Sequence, residues 1–405
     1  MKRLVLLLIF LGLAFSASEI DENALFESET MMVSSVDIAN PMIDHEFEKE
    51  STALTGMLQN RGTYSMPSGA LLAYGSLEFQ LDVRLKKNYK GFVNLQVANN
   101  GLASPNSLAL NLKEFFLDLN INRQAYVRVG KQVLQWGRNY FWNPTDLINV
   151  DHRDFMNLSQ TRSGTYGIKT HVPFGTALNL YSFIDFSAAN TLGGLAGAGK
   201  VEWVTNGSEM ALSLWGKQNL PLVVGWEIST RVTDWDVAGE LSYSKGELSD
   251  RVIDASTINR RTDADTFRTS LGITRYFDWD YKDRISLTFE GFFQTNGYAE
   301  NIFADPDKKK LLLDHNLFQP NYLGKAYGAC FMSVSKFPIP DASVNANLLM
   351  NLSDNSGIFS TGIAYSPIDH TTIAFTLSHF LGPENAEYTF SGSRTALEGS
   401  LTMSF

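Results

Sequence analysis

The segment Trp136-Gly137-Arg138-Asn139-Tyr140-Phe141-Trp142-Asn143-Pro144-Thr145-Asp146 concentrates four aromatic rings, a guanidinium and a carboxylate in eleven residues. That mixture suits stacking on a sugar ring or an apolar solute, with charged groups to orient it. Arg153 follows a few residues on. The six histidines offer a second chemistry. Ser378-His379, and His152 between Asp151 and Asp154, carry the residue types of a hydrolase, in which a base deprotonates a nucleophile and a carboxylate orients the base. Neither is accompanied by a nucleophile elbow, and no histidine has a partner at metal-ligand spacing. No catalytic residue, metal or cofactor is assigned, and an enzyme is not expected.

The elements that must carry these residues are strands. From about residue 52 onward apolar and polar residues alternate with period two. In 71–85 the odd positions run Leu71, Ala73, Gly75, Leu77, Phe79, Leu81, Val83 and Leu85, against Glu78, Gln80, Asp82 and Arg84 among the even ones. Residues 285–294 and 342–351 repeat the pattern. A soluble sandwich also alternates. These strands, however, reach roughly ten residues or more, the length of a tilted membrane-crossing strand. They are joined alternately by short turns and longer connections, and aromatics such as Trp279, Tyr281 and Tyr365 gather near their ends. The expected fold is all-β, a transmembrane antiparallel barrel of about 18 strands (16–18), with short periplasmic turns and long extracellular loops.

The two ends of the chain agree with that fold. Met1-Lys2-Arg3, the apolar run to Phe15 and the small residues Ser16 and Ala17 read as a signal peptide over 1–17. Residues 18–51 form an acidic segment, expected as a periplasmic tail or small plug, before a barrel over 52–405. At the other end Leu401, Met403 and Phe405 alternate with Thr402 and Ser404. This pattern resembles the recognition signal of outer-membrane barrel proteins, which implies a β-barrel assembly machinery as partner. A net charge of −10 leaves no basic footprint for nucleic acid. The other expected partners are outer-membrane lipid, a small solute or exported polymer, and, as one option, further copies of the chain.

A barrel of this size encloses water unless loops fill it. Inward-phase residues include Glu78, Asp82, Arg84, Arg128 and Glu290, with Glu202, Glu227 and Glu240. Both signs are present, and the small acidic excess inclines towards cations or neutral solutes. The long connection 135–162 carries too much apolar surface to stand in water. It is expected to fold into the bore as a constriction, with Trp136, Arg138, Tyr140, Phe141, Trp142, Asp146 and Arg153 either meeting solute or gluing the loop down. Arg138 and Arg153 are expected to pair with wall carboxylates.

Val129-Gly130-Lys131-Gln132, Trp136-Gly137 and Pro144-Thr145-Asp146 together resemble a pattern of alginate-export-like barrels and related outer-membrane porin families. The resemblance covers about twenty residues and implies an outer-membrane channel of a Gram-negative bacterium. An adhesin or structural barrel is the alternative, followed by a rim-located hydrolase.

Overall fold

The computed structural model describes residues 51–85, 89–99, 108–122, 124–134, 136–148, 153–157, 162–189 and 191–405. The expected signal peptide, nearly all of the acidic segment, and His152 lie outside the described residues. Strands β1 (Ser51–Met66), β2 (Ala70–Leu85), β3 (Tyr89–Asn99), β4 (Leu108–Ile121) and β5 (Ala125–Gln132) precede the long connection. After it come β6 (Thr165–Phe174), β7 (Leu178–Asp185), β8 (Ala196–Thr205), β9 (Ser208–Lys217), β10 (Val223–Val232) and β11 (Trp235–Lys245). A two-residue hairpin, β12 (Arg251–Val252) and β13 (Ile258–Asn259), sits in the next connection. The wall resumes with β14 (Asp265–Trp279), β15 (Tyr281–Gln294), β16 (Ala326–Ser335) and β17 (Ala342–Asn351). It ends with β18 (Ser356–Ile368), β19 (Thr371–Leu381) and β20 (Thr395–Ser404).

Apart from the small hairpin, these strands form one antiparallel sheet of 18 strands, each paired with its chain neighbours. The sheet closes where β1 meets β20 in register from Met57↔Ser404 to Met66↔Thr395. Closure removes both sheet edges, so every strand finds backbone partners within the bilayer. The last residue completes the seam. The Gly56 and Phe405 backbones exchange hydrogen bonds of 2.7 and 2.9 Å. The Phe405 ring covers Gly56 so closely that a Cβ there would stand 2.2 Å from the ring. Leu401, Met403 and Phe405 all point outward and are exposed.

The period-two phase is obeyed around the wall. Leu71, Phe115, Leu214, Leu271, Phe289 and Phe375 are exposed on the outside, the cost of which lipid removes. Glu78, Asn94, Glu240, Ser270 and Glu290 are buried on the inside. Trp279, Tyr281 and Tyr365 are exposed at strand ends, where an interfacial girdle belongs. The long connections, 133–164, 246–264, 295–325 and 382–394, all share one rim, and the connections of the other rim span at most six positions, 336–341. By the usual asymmetry of such barrels the long ones are extracellular.

One segment differs from expectation. Asp305 to Lys310 reads as a solvated surface loop, but Pro306–Asp314 is a helix, α1. Asp305 caps it by accepting from the backbone N–H groups of Asp307 and Lys308, and Pro306 occupies the first turn. The Asp-Pro pair is itself a helix-start signal.

Candidate functional site

The described residues of the connection 133–164 pack against the inner wall, and wall carboxylates hold their backbone. Glu240 of β11 accepts from the amides of Arg138 at 2.6 Å and Asn139 at 3.0 Å through Oε1. Through Oε2 it accepts from the Thr145 amide at 3.2 Å and the Thr145 hydroxyl at 2.7 Å. Glu290 of β15 accepts from the amides of Phe141 and Trp142 at 2.9 and 2.5 Å. A carboxylate is acceptor-only with about four lone-pair positions, so it answers a turn whose amides have no backbone partner. Between the two anchors the Asn139 side chain donates from Nδ2 to Ser270 Oγ at 2.5 Å. The inward position of Gly272 leaves the room, since a Cβ there would meet Asn139 Oδ1 at 2.8 Å.

The aromatics divide between two patches of wall. Trp136 packs with Leu134, Ile148, Phe183 and Ala198 on the β7–β8 side. Lys200 lies 5.1 Å from the centroid of its ring. Phe141 and Trp142 pack with Phe155, Phe292, Tyr327, Phe331, Leu349 and Ile358 on the β15–β18 side. Trp142 is 0% exposed, stacks on Phe292 at 5.7 Å and donates from its indole N–H to the Asn321 carbonyl at 3.0 Å. The loop therefore follows the inner wall from β7 to β18.

Arg138 pairs as expected, and with more than one partner. It bonds Glu202 of β8 at 2.6 Å, bonds Glu209 of β9, and lies 3.6 Å from Glu227 of β10. Lys200 shares Glu202 and Glu227 at 3.7 Å each and donates to the Trp136 carbonyl at 3.0 Å. Lys200 and Glu209 belong to this cluster although sequence reading singled out neither. Their inward phase was the only signal available. Arg153 departs from expectation. Its guanidinium lies 5.1 Å from the Tyr140 ring centroid, and among the described residues it makes no ion pair. Asp146 faces Arg162 at 3.6 Å.

Trp136, Phe141 and Trp142 are thus packing residues, whereas Tyr140 stays 39% exposed with its ring edge on Phe331. The aromatic surface offered to the bore by this stretch is Tyr140, with Arg153 against it. Elsewhere the wall charges neutralise one another. Asp82 pairs with Lys90 at 3.1 Å and Arg84 at 3.6 Å, and Arg128 grips Asp118 in two bonds of 2.6 and 3.0 Å. Glu78 accepts from Asn94 at 2.6 Å.

The Ser378-His379 hydrolase pairing does not form. Neighbours on a strand point to opposite faces, and Ser378 is buried, donating to Ser360 at 3.2 Å. His379 is exposed and bonds Thr395 at 3.1 Å.

A second connection enters the barrel, which sequence reading missed. Tyr388, in the connection 382–394, joins the aromatic cluster of Phe141 and Trp142. Its hydroxyl donates to Asn321 Oδ1 at 2.9 Å. Tyr388 and Phe390, two aromatics in an extracellular loop, need cover from water for the same reason as those of 135–162.

Neither a protein-family model nor a curated protein matches the chain. Solved structures do. The Pseudomonas aeruginosa protein OccD3 (OpdP) has a TM-score of 0.54 at 10% identity, over 89% of this chain and 93% of its own. OccK5 (OpdH) of the same organism scores 0.54 at 9% identity, over 88% and 97%. OccK2 (OpdF), solved in complex with glucuronate, scores 0.56 at 11% identity, over 88% and 98%. The shared feature is the fold. This chain is a closed 18-stranded barrel of the porin type, an architecture of the Gram-negative outer membrane.

Proposed function

We propose that the protein is a passive outer-membrane channel for small solutes, narrowed by the connection 133–164, with Tyr140 and Arg153 as the residues that solute meets there. The observation that carries this reading is the seating of the loop by Glu240 and Glu290. Six donor groups of one loop are anchored on two wall carboxylates. That is a built-in narrowing, held in place by bonds that a loop merely resting on the wall would lack.

The favoured solutes carry a carboxylate. The acidic excess of the wall is engaged with the loop or with neighbouring cations, so it offers little to a passing cation. Arg153 and Arg268, by contrast, are cations without ion pairs among the described residues, and Arg268 Nε has no hydrogen-bond partner. The sugar acid glucuronate held by one neighbouring barrel supports the same class. A sugar ring on Tyr140 with its carboxylate towards Arg153 uses both residues at once.

Planar-bilayer recordings test the reading. Stepwise openings with a reversal potential favouring anions are expected, with anion preference reduced in Arg153→Ala. Absence of openings rejects the channel, and cation preference unchanged by Arg153→Ala rejects the solute class.

A further inference from the structure

We infer that Glu387 is a positioning residue for the constriction: from the connection 382–394 it fixes Asn321, which holds Trp142 and so sets where Tyr140 stands. The inference rests on the channel reading above, and it names what holds the narrowing from the outer side.

Glu387 is 2% exposed, although it belongs to the last extracellular connection. Its carboxylate accepts from three segments far apart in the chain. Oε1 receives the Asn321 amide at 2.7 Å, and Oε2 receives the Tyr327 hydroxyl at 2.8 Å and the Asn351 side-chain amide at 2.7 Å. The two side-chain donors are each fixed by a second bond. The Tyr327 hydroxyl accepts from the Gly324 amide at 2.5 Å, and Asn351 Oδ1 accepts from the Ser353 amide at 2.8 Å. All three groups therefore present hydrogens to Glu387, an arrangement that suits an ionised carboxylate. The Glu387 amide in turn donates to Asp354 Oδ2 at 2.8 Å.

Asn321 carries this hold to the constriction. Its carbonyl receives the Trp142 indole N–H at 3.0 Å, and its Oδ1 receives the Tyr388 hydroxyl at 2.9 Å. The residues that follow Asn321 are clamped as well, since Gln294 donates to the Tyr322 carbonyl and, at 2.9 Å, to that of Gly324. Trp142 is thus held from two sides. Glu290 of the wall takes its backbone amide, and Asn321 of an outer connection takes its indole. Tyr140 stands two residues before this doubly held ring, its own ring edge on Phe331 of the same aromatic cluster. The wall carboxylates fix the backbone of the loop, whereas the Glu387 network fixes a ring which that backbone carries.

The hydrogen bonds of the Glu387 side chain go to Asn321, Tyr327 and Asn351. Its action on the narrowing therefore passes through Asn321 and the neighbouring Tyr388. A buried polar network is rigid when every member is satisfied, and a mismatch at one member reaches the others. Glu387→Gln keeps the shape of the side chain but exchanges one acceptor oxygen for an N–H donor. Whichever way the new amide turns, that donor meets another donor.

The test is single-channel recording of the full chain in salt alone, in wild type, Glu387→Gln and Tyr388→Phe, each with and without Tyr140→Ala. Unfolding temperature is measured alongside. Glu387→Gln is expected to give a larger and noisier conductance than wild type, and Tyr388→Phe a smaller change of the same sign. Because the effect passes through the position of Tyr140, each change should be smaller in the Tyr140→Ala background. A wild-type conductance in Glu387→Gln, with only its unfolding temperature lowered, makes Glu387 a structural residue and overturns the inference. Conductance changes that add in full to that of Tyr140→Ala overturn it as well. Should Glu387→Gln fail to fold, Tyr388→Phe, which loses a single hydroxyl, decides by the same two criteria. No openings in wild type or any variant overturn the channel reading and the inference with it.

Discussion

Thr145 delivers both its backbone N–H and its hydroxyl to one carboxylate oxygen of Glu240, at 3.2 and 2.7 Å. The two residues are 95 positions apart, and the bond pair fixes where the constriction loop lies against the wall. Glu240→Ala leaves the loop's donors without their acceptor. At about 1–3 kcal/mol for each donor left dry, a total loss of about 2–4 kcal/mol is expected once bore water re-solvates some of them. The released loop enlarges the opening. Single-channel conductance should rise and become noisier, and an unchanged, quiet conductance would show that Glu240 does not hold the narrowing.

Tyr140 and Trp142 lie two residues apart and should behave oppositely. Trp142 is fully buried against Phe292, so Trp142→Ala empties a packed site at about 3–5 kcal/mol. The expected readout is a lower unfolding temperature of the barrel in detergent. Tyr140→Ala removes a half-exposed ring and should alter conductance and glucuronate block with little change in unfolding temperature. Equal stability losses in the two variants would contradict this division.

Gly56 and Phe405 close the barrel, and the ring leaves no space for a side chain on Gly56. Gly56→Leu should reduce the folded, heat-modifiable fraction on electrophoresis several-fold. Phe405→Ala keeps the backbone pair and should fold more slowly while reaching a closed barrel. Assembly of Gly56→Leu at the wild-type yield would deny the seam this role.

The outer connection 246–264 holds a buried carboxylate, Glu247. Burial raises the Glu247 carboxyl, but its bonds to Arg261 and the nearby charge of Arg251 outweigh it and hold the group below the usual range. The tie is complete above the ordinary carboxylate range and is lost as pH falls through the depressed value. Proteolysis of the connection 246–264 should therefore accelerate in acid near pH 3, and Glu247→Gln should accelerate it already at pH 7. Equal cleavage rates at both pH values would remove this tie from the account.

The fold was legible because its evidence is local. Alternation such as Leu77-Glu78-Phe79-Gln80 reports two faces of one strand, and the longest connections, separated by even numbers of wall strands, mark one rim. Neither needs knowledge of distant contacts, so the strand number and the phase of Glu78, Glu240 and Glu290 could be read from the chain. The same local logic placed Trp136 to Asp146 inside the bore, since four aromatics cannot stand in water. Tyr388 and Phe390 carry the same signal more weakly, as two aromatics in a shorter connection.

What each ring or charge touches was beyond the sequence. Arg138 and Glu240 are 102 positions apart, and Asn321 and Glu387 are 66 apart. Their meeting depends on closure of the barrel, which fixes the order of strands around the bore and so decides which inward carboxylate faces which loop amide. Composition admitted Trp136, Tyr140, Phe141 and Trp142 equally as solute contacts or as packing. Only the tertiary structure turned three of them to the wall and left Tyr140 to the water, because the wall offers apolar patches at β7–β8 and β15–β18 and carboxylates in between.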